Sequence, residues 1–221
     1  MNVQVEILMA FFLLSCLMLA ACSRMLHCIR IVALQGLLLG LMPLAAAEHI
    51  HMHQIGAAFL NISLKAVLLP LLLKAAMHKA QVKRELEPLV GYAASLLIVL
   101  GGMFISFWLG RKLNLPENAG ALRLAVPVAF SVVLTGLFII MARKKAITQV
   151  IGFLTFENGI ALFGSAMMIE CGLAVELGIL LDVFVLVFIM GIAVMRINSA
   201  FEHIDSDKLN LLEEQTHGAA K

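Results

Sequence analysis

The feature that most limits what this chain can fold into is a succession of apolar runs, each about as long as a bilayer is thick, separated by short polar breaks. A helix needs about 20 mostly apolar residues to cross the hydrocarbon core. Seven runs meet that length, at roughly 4–22, 30–47, 56–77, 88–109, 121–142, 147–170 and 174–197. In lipid, every backbone N–H and C=O must find its partner within the segment, so such runs have to be helical. Composition agrees. Hydrophobic residues make up 62% of the 221 and charged residues only 14%, about half the charged share of a soluble domain. The expected fold is all-α: a polytopic integral membrane protein of about seven transmembrane helices.

The breaks fall at His49, His51 and His53, at Lys79 to Glu87, at Gly110 to Gly120 and at Arg143-Lys144-Lys145. The softest division, Glu170-Cys171-Gly172, separates the last two runs. No long polar linker interrupts the chain, so one bundle is expected. Within it, 1–120 carries the first four helices, 121–200 the last three, and 201–221 is a polar tail. The tail is acidic, with Glu202, Asp205, Asp207, Glu213 and Glu214. It reads as a solvated cytoplasmic end, or alternatively as a strap that docks a neighbouring subunit.

Basic residues orient the bundle, because cytoplasmic loops carry the Lys and Arg excess. With the N-terminus outside and the C-terminus inside, twelve of the 16 Lys and Arg fall on the inner side. Three (Arg111, Lys112 and Arg123) fall outside, and Lys65 lies within a span. The expected location is the inner, cytoplasmic membrane of the cell.

Several functions lose support. A net charge of +2 gives no electrostatic footprint for nucleic acid. Cys16, Cys22, Cys28 and Cys171 form no C-x-x-C pair and read as small buried hydrophobes. Leu-Ala-Ala-Cys at 19–22 looks like a lipoprotein cleavage box. The preceding residues, however, include Glu6 and no Lys or Arg, whereas a signal peptide opens with a positive region; a retained first span is expected. The three histidines cap a helix end rather than form a metal site. The thirteen Met read as gap fillers, and Trp108 and Tyr92 as interfacial anchors. No phosphate loop, nucleophile constellation or cofactor motif is present.

Three ionisable residues fall inside runs: Lys65, Glu157 and Asp182. At 1.5 Å per residue, Glu157 lies roughly 15 Å from the inner end of its helix. Lys65 and Asp182 lie roughly 13 and 12 Å from the outer ends of theirs. Charged residues at such depth face the bundle interior, pair with one another or line a wet path. Carboxyls in series suit proton transfer, since burial favours the neutral form and a nearby ammonium the ionised one. The alternative is a static Asp182–Lys65 pair, with Glu157 hydrogen-bonding helix to helix. Gly152 and Gly159 share a helix face and allow close packing beside Glu157. Gly159 and Asn158 also predict a local π distortion there, while Pro70, five residues after Lys65, predicts a kink in the third span.

From about Val126 to Leu212 the chain resembles the small K subunit of respiratory complex I. An apolar span ends in the basic knot MARKKA at 141–146, followed by a Gly-rich span with one glutamate, IGFLTFENGIALFG. A further span carries a second carboxylate, LGILLDVFVLVFIMGIAV, and a polar tail contains IDSDKLNLL. That family's two intramembrane carboxylates fall by position on Glu157 and Asp182, although the second acid here is Asp and the loop between the spans is shorter. Taken whole, with FLNISLKAVLLPLLL matching a Lys-x4-Pro pattern at Lys65 and Pro70, the chain is similar to the hydrogenase-4 component E family. These are membrane subunits of complex I-related nickel–iron hydrogenases and formate hydrogenlyases.

The resemblance implies a subunit with no redox centre or cofactor of its own. It implies nickel–iron and iron–sulfur centres in peripheral hydrogenase-type subunits, and antiporter-like and quinone-site-like membrane subunits as partners. Glu157 and Asp182 would relay protons or Na⁺, with Lys65 tuning the relay. A structural or assembly subunit with paired charges remains an alternative. A stand-alone secondary transporter is another, though no internal repeat of the kind such folds carry is visible.

Overall fold

The computed structural model describes residues 3–46, 52–79, 90–113, 122–143 and 145–167. All their regular structure is helical: α1 (Val3–Ala21), α2 (Met25–Ala46), α3 (Met52–Asn61), a π-helical segment (Ile62–Leu68), α4 (Leu69–Lys79), α5 (Tyr92–Lys112), α6 (Leu122–Ala142) and α7 (Ala146–Met167). Backbone angles at Asn61 and Leu69 stay in the right-handed helical region, so α3, the π segment and α4 form one rod. Among the described residues, six helices are long and apolar enough to cross a membrane. The expected seventh run at 174–197 lies outside the described residues, as do Asp182, the acidic tail, His49 and His51.

The third span is irregular for a reason legible in its chain chemistry. Pro70 has no N–H, so a regular α register would leave the Ala66 carbonyl four residues back without its partner. The helix instead widens just before the proline, and the Leu69 N–H donates to the Leu64 carbonyl five residues earlier. The distortion expected at Glu157 is therefore corrected. Residues 146–167 run as continuous α-helix through Glu157, and the π segment surrounds Lys65 instead. Gly159 and Asn158 lower helix propensity, but they remove no backbone donor; Pro70 does.

Antiparallel neighbours pack closely where side chains are smallest. Between α6 and α7, the partners in most extensive contact, a Cβ on Gly136 would strike the backbone of Phe156. One on Gly152 would lie 2.8 Å from the Ile140 nitrogen, and one on Gly159 2.7 Å from that of Val133. Between α2 and the third span, Gly40 faces the Ile62 side chain, and a Cβ on Gly36 would lie 2.8 Å from the Lys65 Cβ. With lipid as apolar as leucine, such close backbone approach is a main source of helix association. Two apolar clusters fill the bundle. One joins Leu19, Met25, Leu73 and Ile151; the other joins Phe12, Leu39, Val128 and Leu162. Each draws on both sides of residue 120. Large apolar side chains also point outward, as on α5 at Leu97, Phe104 and Ile105.

At the two ends of α5, aromatic rings hold cations. Lys112 Nζ stands 4.1 Å from the Trp108 ring centre, and the Arg143 guanidinium 5.6 Å from that of Tyr92. Gly136→Val is expected to destabilise the bundle by about 1–3 kcal/mol or more, as overpacking does, read as a lower midpoint in thermal unfolding in detergent. Gly101→Ala, with open space around its Cβ position, is expected to leave that midpoint unchanged.

Candidate functional site: a lysine–glutamate pair inside the bundle

Lys65 is 4% exposed and Glu157 1% exposed. The Lys65 Nζ donates to Glu157 Oε1 at 2.6 Å and, at a longer 3.4 Å, to Asn158 Oδ1. A hydrogen bond between two ionised groups at this length belongs to the strong, charge-assisted kind. Three elements build the site. The π segment carries Lys65. Gly36 on α2 lets the Lys65 backbone approach, since any side chain there would meet it. On α7, Glu157 and Asn158 are presented by a helix seated tightly on α6 through Gly152 and Gly159.

Depth arithmetic aligned Lys65 with Asp182; the structure pairs Lys65 with Glu157. The two estimates do not conflict, because roughly 13 Å from one face and 15 Å from the other are nearly one plane of a ~30 Å core. Asp182 lies outside the described residues. Pro70 stands just beyond the site, at the second residue of α4.

Other buried polar groups were not singled out as core residues by the sequence reading. Gln35, 0% exposed, donates from Nε2 to Ser15 Oγ at 2.9 Å, and Ser15 Oγ donates to the Phe12 carbonyl at 2.6 Å. This ties α2 to α1. Arg143, expected in a polar loop with Lys144 and Lys145, is 3% exposed and donates from Nη2 to the Ala20 carbonyl at 3.4 Å. Gln35 and Arg143 were detectable only as polar residues in or beside apolar runs. Gly36 and Gly40 left a clearer mark, a G-x-x-x-G spacing that signals close helix approach. Among the described residues, no cluster of three His, Cys, Asp or Glu is arranged to hold a metal.

The helices and the buried ion pair define a class, the polytopic helical membrane proteins with an ionisable core. No family model matches the chain, and no solved structure matches it. It is 36% identical over 190 residues to the uncharacterized protein Rv0085 of Mycobacterium tuberculosis, an alignment that covers 84% of this chain and 85% of that protein. The chain belongs to the family of that protein.

Removing one partner of a buried ion pair leaves an uncompensated charge, which typically costs about 3–5 kcal/mol. Glu157→Ala is therefore expected to lower the thermal midpoint sharply. Adding Lys65→Met to Glu157→Ala is expected to recover most of the loss. A double variant no more stable than Glu157→Ala alone would show that the two groups are not energetically coupled.

Proposed function

We propose that this protein is the non-redox membrane subunit of a complex I-like, hydrogenase-type oxidoreductase, in which Lys65 and Glu157 take part in proton translocation coupled to electron transfer. The proton-path part of the reading is supported by the 2.6 Å contact between two buried, oppositely charged side chains inside the bundle; the hydrogenase-type assembly is supported by the resemblance of the sequence motifs alone. Ionisable side chains at membrane depth commonly mark ion pathways and proton relays.

The chemistry follows from the pair. While Glu157 is ionised, it holds the Lys65 ammonium. A proton reaching the carboxylate neutralises it and weakens that hold. The lysine, on a long flexible stem in a widened helix and also held by Asn158, then turns towards another acceptor. Departure of the proton from Glu157 restores the pair. Asp182 supplies a second carboxylate for this relay in the proposal. Nickel–iron and iron–sulfur centres belong to the partner subunits, and antiporter-like and quinone-site-like membrane subunits flank this one.

Placement in the cytoplasmic membrane, with the Arg24, Arg143 and Lys145 end inside, is supported by basic residues at that end of the described bundle. A second reading, a structural subunit with statically paired charges, is favoured by the burial of both groups. Glu157→Gln separates the two, because it keeps shape and hydrogen bonding while removing the charge. In the assembled complex it is expected to lower proton translocation about tenfold or more with assembly intact. Unchanged coupled turnover in a normally assembled complex would leave only the structural role.

A further inference from the structure

The connection from α6 to α7 turns Arg143 into the bundle. Its Nη2 donates to the Ala20 carbonyl at 3.4 Å, and its guanidinium carbon stands 5.6 Å from the centre of the Tyr92 ring. Gln149 Nε2 donates to the Arg143 carbonyl at 3.2 Å, which fixes the main chain beneath the side chain. Nη1 is buried and, among the described residues, has no hydrogen-bond partner. The two groups that meet the cation, a carbonyl and a ring, are both neutral. Among the described residues, Lys65 has a carboxylate in salt-bridge contact and Arg143 has none. Buried charges are normally paired, and a buried donor left unmet is costly.

A small cavity adjoins this cation. Arg143 lines it together with Leu19, Cys28, Ile139, Thr148 and Ile151. It has room for about one water-sized group. Two helix starts reach it. Cys28 lies in the first turn of α2, which begins at Met25, and Thr148 in the first turn of α7, which begins at Ala146. A helix N-terminus carries a positive partial charge. The cavity is therefore bordered by a guanidinium and two positive helix ends, and its remaining walls are the apolar Leu19, Ile139 and Ile151. Arg24, exposed on the turn into α2, adds positive potential on the approach.

We propose that this cavity is an anion site for a single chloride-sized ion, held by Arg143 Nη1 between the starts of α2 and α7. A water molecule there would satisfy the orphan N–H but leave the charge unmet. A halide satisfies both. A phosphate, free or on a lipid headgroup, is several atoms too large for the enclosed space. The Thr148 hydroxyl spends its proton on the Lys145 carbonyl at 2.6 Å, so the donor offered to the ion is the guanidinium. Apolar walls suit a weakly hydrated anion, because less hydration is lost on entry. The bound ion neutralises the cation that ties α6 to α1, and so it strengthens this end of the bundle. The site uses none of the residues of the Lys65–Glu157 pair and stands apart from its proposed role.

The test follows thermal unfolding of the full-length protein in detergent, with chloride exchanged for gluconate at constant ionic strength. A ligand that binds only the folded state raises the midpoint with its concentration. The midpoint is expected to rise by about 2–4 °C or more for each tenfold increase in chloride once the site is mostly filled. Bromide should match chloride, and phosphate should match gluconate. Arg143→Gln should lower the midpoint and make it insensitive to the choice of anion. Equal midpoints in chloride and gluconate would mean that only water fills the cavity and would overturn the proposal. So would a chloride effect undiminished in Arg143→Gln, or stabilisation by phosphate or by anionic phospholipid micelles in place of chloride. A second measurement needs no substitution. In crystals of the unsubstituted protein soaked in bromide, an anomalous peak is expected within hydrogen-bond distance of Arg143 Nη1. No peak in this cavity would overturn the proposal as well.

Discussion

A buried lysine in a membrane bundle is tolerable only if its charge is met, and the arrangement around Lys65 serves that need. The ammonium reaches Glu157 at 2.6 Å because three helices converge at one level. The third span widens at Lys65, α2 withdraws its side chain at Gly36, and α7 is held against α6 by glycines on both sides of Glu157. Each of these features would be a local weakness in isolation. A π segment gives up regular α hydrogen bonding, and interior glycines lower helix propensity. Together they bring two opposite charges into contact away from lipid, and the ion pair offsets the desolvation that each group suffers.

The polar interior is distributed rather than concentrated. Gln35 and Ser15 join α1 to α2, while Arg143 joins the end of α6 to the end of α1 and to the Tyr92 ring on α5. Buried Ser and Thr hydroxyls, among them Ser131, Thr135 and Thr155, donate to carbonyls of their own helices. That local bonding lets them sit in an apolar setting without a second helix. Among the described residues, the long side chains Lys65, Gln35 and Arg143 span the gap to a neighbouring helix and donate to Glu157 and Asn158, to Ser15 and to the Ala20 carbonyl. Long polar side chains at the core thus donate the cross-links, while the hydroxyls donate within their own helices.

The Arg143 end shows how one residue changes meaning with context. In the chain it heads a basic triplet of the kind that marks a cytoplasmic loop. In the fold it turns inward, covers the Tyr92 ring and donates to the Ala20 carbonyl at the end of α1. Its neighbour Lys145, at the start of α7, is only partly buried. Sequence patterning assigned the triplet to one environment because charge alone says nothing about which member a helix end directs inward.

Helical class, the number and approximate limits of the first six spans, and the singling out of Lys65 and Glu157 were determined by the sequence alone. Each rests on a local rule: hydrocarbon thickness sets run length, and a charge within such a run is costly wherever it ends up. Pro70 likewise marked the third span as irregular, since a missing N–H is a covalent fact. What form the irregularity takes, which carboxylate Lys65 meets, and that Gly36 and Gly40 rather than Gly152 and Gly159 face the third span were decided by the tertiary structure. These depend on helix rotation and on which spans are neighbours, and a linear pattern carries depth along a helix axis but not direction around it.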